Sequence, residues 1–118
     1  MIHTLLTGYT GFVGKNLITY FNDDQVVSVS NLNLRDVLPP QLPKASALIH
    51  LAGKAHDLKN ASDAEVYFKV NTELTKALFD RFLISDVRDF IYFSSVKAVA
   101  DTVHGVLEED VVPSPITP

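Results

Sequence analysis

An α/β fold on a parallel sheet, with about four strands and two main helices, is predicted by three observations. Short apolar or β-branched runs alternate with segments whose apolar residues recur at helical spacing. A turn punctuated by glycines lies between the first run and the first helical segment. Most of the runs are continuously apolar, as parallel strands covered on both faces must be. Crossovers between such strands are right-handed, which sets consecutive βαβ units side by side in one sheet.

The elements follow in order. Ile2-His3-Thr4-Leu5-Leu6 is a buried strand, ended at Gly8 by a tight turn with Gly11 three residues on. From Phe12 to Phe21, the residues Val13, Leu17, Ile18 and Phe21 form one stripe, expected to be buried, and Asn22-Asp23-Asp24 is expected to break the helix. Val26-Val27-Ser28-Val29 is a second strand. Leu38 to Lys44 holds three prolines, whose fixed φ and missing N–H exclude a regular element. Ala47-Leu48-Ile49-His50-Leu51 is a third strand, stopped at Gly53, and within it His50 reads as a core histidine with satisfied nitrogens.

Ser62-Asp63-Ala64-Glu65 has capping-box spacing: the serine accepts from an amide one turn in, and the glutamate reaches back to the cap amide. The helix it opens is expected to reach about Ile84, with Ala64, Tyr67, Asn71, Leu74, Leu78 and Phe82 on one stripe. Phe68, Phe79 and Leu83 lie off that stripe, so a second contact surface is expected. Phe90-Ile91-Tyr92-Phe93 is the fourth strand, and beyond Val99 the periodicity fades.

A length of 118 residues and a mass of 13.0 kDa fit one domain, residues 1–118. A compact monomer of that mass exposes roughly 6,300 Å², against about 19,000 Å² for the extended chain, so a real core is expected. The net charge of −4 argues against nucleic-acid and anionic-membrane partners. The absence of cysteine excludes disulfides, thiolate metal sites and a cysteine nucleophile, and no metal is expected. No apolar run approaches the ~20 residues of a membrane span, and no signal peptide is visible, so a cytoplasmic protein is expected.

The chemistry concentrates in Thr7-Gly8-Tyr9-Thr10-Gly11-Phe12-Val13-Gly14. Gly8 permits the sharp exit from the strand, Gly11 a close approach of backbone to a pyrophosphate, and Gly14 close packing of helix on sheet. The helix start adds free amides and a partial positive charge for the phosphates of a dinucleotide.

With this turn, His50-Leu51-Ala52-Gly53, Val70-Asn71-Thr72 and Phe90 to Lys97 in order, the chain resembles the extended short-chain dehydrogenase/reductase family, the NAD-dependent epimerase/dehydratases of nucleotide sugars. Leu107-Glu108-Glu109-Asp110 and Pro113 to Pro118 look like that family's acidic, proline-bearing approach to its catalytic tyrosine. Ser94-Ser95-Val96-Lys97 is most similar to members acting in capsule and O-antigen sugar synthesis.

The resemblance implies a Rossmann-type three-layer fold, here truncated, that binds NAD or NADP through Gly8, Thr10, Gly11, Phe12 and Val13. Leu51, Ala52 and Gly53 would line the adenosine and ribose, and Asn71 would tie its helix to the sheet beside the cofactor. Ser95, with Ser94 beside it, would be catalytic by holding the substrate hydroxyl or keto oxygen, with Val96 the competing register. Two departures stand out. Where NAD-preferring members end the second strand in an acid, this chain has Ser30-Asn31, with Asp36 near the adenine and Arg35 able to meet a 2′-phosphate, so the choice of cofactor stays open. None of Tyr9, Tyr20, Tyr67 and Tyr92 is followed by lysine four residues later, so the family's Tyr-x-x-x-Lys acid/base pair and its sugar-binding domain are expected beyond Pro118. Two readings follow: an epimerase, dehydratase or reductase of nucleotide sugars, or a non-catalytic dinucleotide sensor. A homo-oligomer is expected in either case.

Overall fold

The computed structural model describes residues 2–34, 38–52, 69–95, 98–100 and 102–115. Strand β1 (Ile2–Thr7) leads through the glycine turn into helix α1 (Phe12–Asp24) and strand β2 (Val27–Asn31). Strand β3 (Ala47–His50) follows, then a π-helical turn (Lys69–Glu73) running into helix α2 (Leu74–Leu83), and strand β4 (Asp89–Tyr92). All pairings are parallel, in the order β2-β1-β3-β4. From β1 the chain first steps one way to β2, and from β3 it steps the other way to β4. Right-handed crossovers in opposite directions put α1 and α2 on opposite faces. The α/β, Rossmann-type prediction holds.

Both faces of β1 are covered, and Thr4, Leu5, Leu6 and Thr7 are all buried. Leu5 and Leu48 are register partners and meet Leu32, Leu78 of α2 and Val87 in one apolar cluster. Leu6 and Ile49, one residue further along each strand, face the other side. The proline-bearing segment 38–46 forms no helix or strand, yet Leu38, Leu42 and Ala45 pack against the cluster.

Several boundaries differ from expectation. Helix α1 does not break at Asn22 but runs through Asp24, closing where Gln25 turns left-handed (φ 57°) and donates its N–H to the Phe21 carbonyl. Its apolar stripe is only half-buried, with Val13 exposed, and Gly14 is the one fully buried residue of the helix. Strand β2 starts at Val27 and extends to Asn31, β3 ends at His50, and β4 starts one residue early. Phe79 does not simply stand off the core: its ring packs edge-on against Phe90 and tilts over Phe82, while Leu83 stays in solvent. The capping box at Ser62 and the residue Phe68 lie outside the described residues.

The expected core is present in the Leu5 cluster, but the chain is less compact than the reference monomer. The chain exposes 8731 Å², well above the roughly 6,300 Å² of a compact monomer of this mass. Ile91 and Tyr92 of β4, the following Phe93, and Leu83 and Ile84 at the end of α2 are all exposed.

Candidate functional site

In an open parallel sheet, ligands bind beyond the carboxyl ends of the strands, where the chain reverses its direction across the sheet. Here that point lies between β1 and β3. The segments that meet there are the turn after Thr7 and the bend after His50.

The three glycines of the turn do different work. Gly8 has φ +74°, and a Cβ there would lie 2.8 Å from the Leu51 carbonyl carbon and the Ala52 nitrogen. The fold therefore needs glycine at position 8, so that the turn rests directly on the Leu51–Ala52 peptide. At Gly14 a Cβ would collide with the Gly8 carbonyl oxygen and sit 2.9 Å from that of Tyr9. Gly14 thus closes the first turn of α1 onto the loop, a contact with the turn where packing on the sheet was expected. Gly11 is unlike both. Its backbone is extended (φ −75°, ψ 174°), open to any residue, and a Cβ would meet only the Gly8 carbonyl oxygen at an ordinary 3.5 Å. Nothing in the fold requires glycine at position 11.

Gly11 is also the N-cap of α1, with no capping side chain and no acidic residue in the first helical turn. The first intrahelical bond is donated by Lys15 to the Gly11 carbonyl, so the amides ahead of it lack helical acceptors. They carry the positive end of a helix of 13 residues. Thr10, Phe12 and Val13 are exposed around it. These are the features a diphosphate requires: unsatisfied amides, no competing carboxylate and no side chain in the approach path.

The other predicted residues divide. Asn31 ends β2 in an exposed position, whereas Ser30 lies one residue inside the strand, and its hydroxyl bonds His3 Nε2 at 3.1 Å. The same imidazole takes Ser28 at 2.7 Å, so His3 staples β1 to β2. Ser94 and Ser95 are exposed just past β4, two strand spacings or about 10 Å across the sheet from β1. Asn71 is half-buried in the π-helical turn. Asp36 and Gly53 lie outside the described residues, as do Arg35, His56 and Val96.

Beneath the edge runs a hydrogen-bond chain that residue spacing alone does not disclose. Thr7 Oγ1 accepts the Leu51 and Ala52 amides at 3.0 and 3.1 Å and lies 2.6 Å from His50 Nδ1. A hydroxyl has two acceptor sites and one proton, so with both sites taken Thr7 must donate to Nδ1. His50 is then the neutral Nε2–H tautomer, and Nε2 donates to Thr75 Oγ1 at 2.8 Å. The ring is fully buried and stacks on Tyr92. It is the satisfied core histidine expected of an apolar run, and burial pushes its pKa below the ordinary 6.5.

That shift has a sign. Unfolded chains protonate His50 near pH 6.5, while the folded state stays neutral to lower pH, so the unfolded state binds more protons between the two pKa values. His50 is expected to lower stability as pH falls below about 6.5. In His50→Gln the loss of melting temperature between pH 7 and pH 5 is expected to be smaller than in the wild type. Parallel profiles for the two proteins would refute the assignment.

A sequence model of the NAD dependent epimerase/dehydratase family matches residues 4–118. UDP-glucose 4-epimerase of Vibrio cholerae is 31% identical over 113 residues, covering 79% of this chain and 34% of that protein. The low-salt glycan biosynthesis protein Agl12 of Haloferax volcanii is 24% identical, covering 90% of this chain and 43% of that protein. The chain thus spans between about a third and a half of the curated relatives it matches. Among solved structures, the NAD complex of UDP-glucuronic acid 4-epimerase from Bacillus cereus superposes with a TM-score of 0.85 at 18% identity, over 98% of this chain and 46% of that one. At that identity the likeness is one of fold. Among the described residues, no helix is long and apolar enough to cross a membrane.

Proposed function

Because this chain belongs to the NAD dependent epimerase/dehydratase family, we propose that residues 1–118 are the dinucleotide-binding part of a cytoplasmic nucleotide-sugar epimerase or dehydratase. The observation that carries the reading is Gly11, a glycine the fold does not need, at the uncapped start of α1. Its missing side chain leaves room for an anion to reach the first-turn amides.

The diphosphate of NAD or NADP would lie over Gly8 to Val13, with Thr10 and Phe12 beside it. Leu51, Ala52 and Gly53 would flank the adenosine half, Asn31 and Asp36 its ribose and adenine, and Asn71 would anchor α2 near the nicotinamide half. Ser30 serves this edge less directly, since its hydroxyl holds His3. The bound cofactor would supply a hydride acceptor and donor. Ser95 would hold the oxygen of the oxidised sugar carbon, and the proton would be moved by a tyrosine–lysine pair outside residues 1–118. The place of such an enzyme would be the synthesis of sugars for capsule, O-antigen or a comparable surface glycan. The glycan-biosynthesis name of the Haloferax relative is consistent with that place.

Calorimetric titration with NAD+ and NADP+ tests the reading. The wild-type chain is expected to bind at least one of them. Gly11→Val is expected to keep its melting temperature within a few degrees and to lose tenfold or more in affinity, about 1.4 kcal/mol. Unchanged affinity in a folded Gly11→Val protein would place the diphosphate elsewhere.

A further inference from the structure

The chain Thr75–His50–Thr7 links a helix to the predicted nucleotide cradle entirely through side chains, and each link constrains the next. Thr75 lies on α2, which packs through Leu78 on the same sheet face as Leu5 and Leu48. Its hydroxyl meets His50 Nε2, and the opposite ring nitrogen meets Thr7. Thr7 spans the gap to the Leu51 and Ala52 amides, on which Gly8 rests at a distance that tolerates no Cβ. If Nδ1 carried the proton, the Thr7 hydroxyl would have to accept it. It would then have three N–H groups competing for two acceptor sites, and its own proton would lose the ring acceptor. The Leu51 amide could fall back on the Thr7 carbonyl at 3.3 Å, whereas the Ala52 amide has only the hydroxyl among the described residues. The tautomer of a single buried ring thereby decides whether the Thr7 hydroxyl can hold both amides of the bend after β3.

We infer that His50 and Thr75 are positioning residues for the dinucleotide site: Thr75 accepts the Nε2–H of His50 and so supports the tautomer that the two amides on Thr7 demand, and that tautomer lets Thr7 hold the Leu51–Ala52 bend against the Gly8 turn. The inference rests on the reading of that edge as a dinucleotide site. Neither side chain touches the ligand. Both act through the Thr7 hydroxyl, and α2 is thereby coupled to the cradle through its own hydrogen-bonding side chain. Stacking on Tyr92 and tilted contact with Phe90 restrain the ring plane, and the two threonines engage both ring nitrogens.

The test uses the 118-residue chain and Thr75→Val, which keeps the branched shape and removes the acceptor, with Thr75→Ser as the rescue. Nitrogen-15 spectra at pH 8 are expected to show His50 of the wild type protonated at Nε2 alone. Thr75→Val is expected to shift the ring towards a mixture of tautomers and to weaken NAD+ or NADP+ binding threefold to tenfold with the fold intact. Thr75→Ser is expected to restore both readings. A merely structural Thr75 would change the melting temperature without changing the tautomer. A wild-type ring protonated at Nδ1, or wild-type affinity in folded Thr75→Val, would overturn the inference. A wild-type chain that binds neither dinucleotide would instead overturn the reading of the site, and the spectra would still report on the hydrogen-bond chain. Should Thr75→Val not fold, His50→Gln provides the second route: its amide can serve both threonines, so an affinity within threefold of wild type is expected, and a tenfold loss would refute positioning by hydrogen bonds.

Discussion

Gly14→Ala is expected to unfold the protein or cost it roughly 3 kcal/mol or more, although alanine is the better helix former. The added methyl would strike the Gly8 carbonyl oxygen and press on that of Tyr9, and both are backbone atoms of a loop that cannot retreat. Behind Gly8 lies the Leu51–Ala52 peptide, already at the limit of contact. Relief would require α1 to move off the turn, taking Leu17, Ile18 and Phe21 with it. A domain of this size has only ~5–15 kcal/mol of stability, so one such collision consumes a large share. Thermal and urea unfolding followed by circular dichroism measure the loss. A melting temperature within a few degrees of wild type would mean that the turn is more compliant than its contacts indicate. The contrast with Gly11→Val is instructive, because there a larger side chain is expected to spare the fold and remove the ligand.

The second large effect concerns association. The chain is expected to self-associate through the end of α2, the edge of β4, or both. Leu83 and Ile84 are exposed on the helix, and Ile91, Tyr92 and Phe93 on and beside the strand. Beyond β4 no further strand pairs among the described residues, so its outer N–H and C=O groups form a template for another chain. Burying one such side chain fully is worth about 1.5–3 kcal/mol, and several together exceed what a micromolar dimer needs beyond its entropy cost only if most become covered. The exposed total of 8731 Å² leaves ample area for that. Light scattering at rising concentration should give masses above 13.0 kDa, and Leu83→Asp/Ile84→Asp should lower them if the helix carries the contact. A constant monomer mass in the wild type up to high concentration would refute the expectation.

Much of this architecture was legible in the residues themselves. A glycine three residues after another, between an apolar run and a helical stripe, specifies a strand–turn–helix because those conformations depend on local sterics. The apolar runs located all four strands to within one or two residues for the same reason, and the segment with three prolines was bound to be irregular. Local rules were less able to locate the end of α1. Asn22, Asp23 and Asp24 are weak helix formers, but an exposed final turn has little to lose, and Gln25 could close it in the left-handed conformation.

The tertiary structure decided which contacts the described residues of the candidate site make. Three glycines that look alike in the sequence separate once the turn is folded: Gly8 is pressed by the Leu51–Ala52 bend more than forty positions away, Gly14 by the carbonyls of Gly8 and Tyr9, and Gly11 by neither. Two of them then belong to the fold, and the third is free of that demand, which is why it carries the proposal of a diphosphate site. His50 reads as core from its neighbours in the chain, and core it is. Its hydrogen bonds, however, span 43 positions to Thr7 and 25 to Thr75, and its tautomer follows from how many amides Thr7 has already accepted. Ser30 matched the expected position at the end of its strand until the β1–β2 register delivered His3 to its hydroxyl. Spacing along the chain fixes backbone conformation through nearest-neighbour sterics, but hydrogen-bond partners are assigned by strand register and helix placement, which exist only once the sheet has formed.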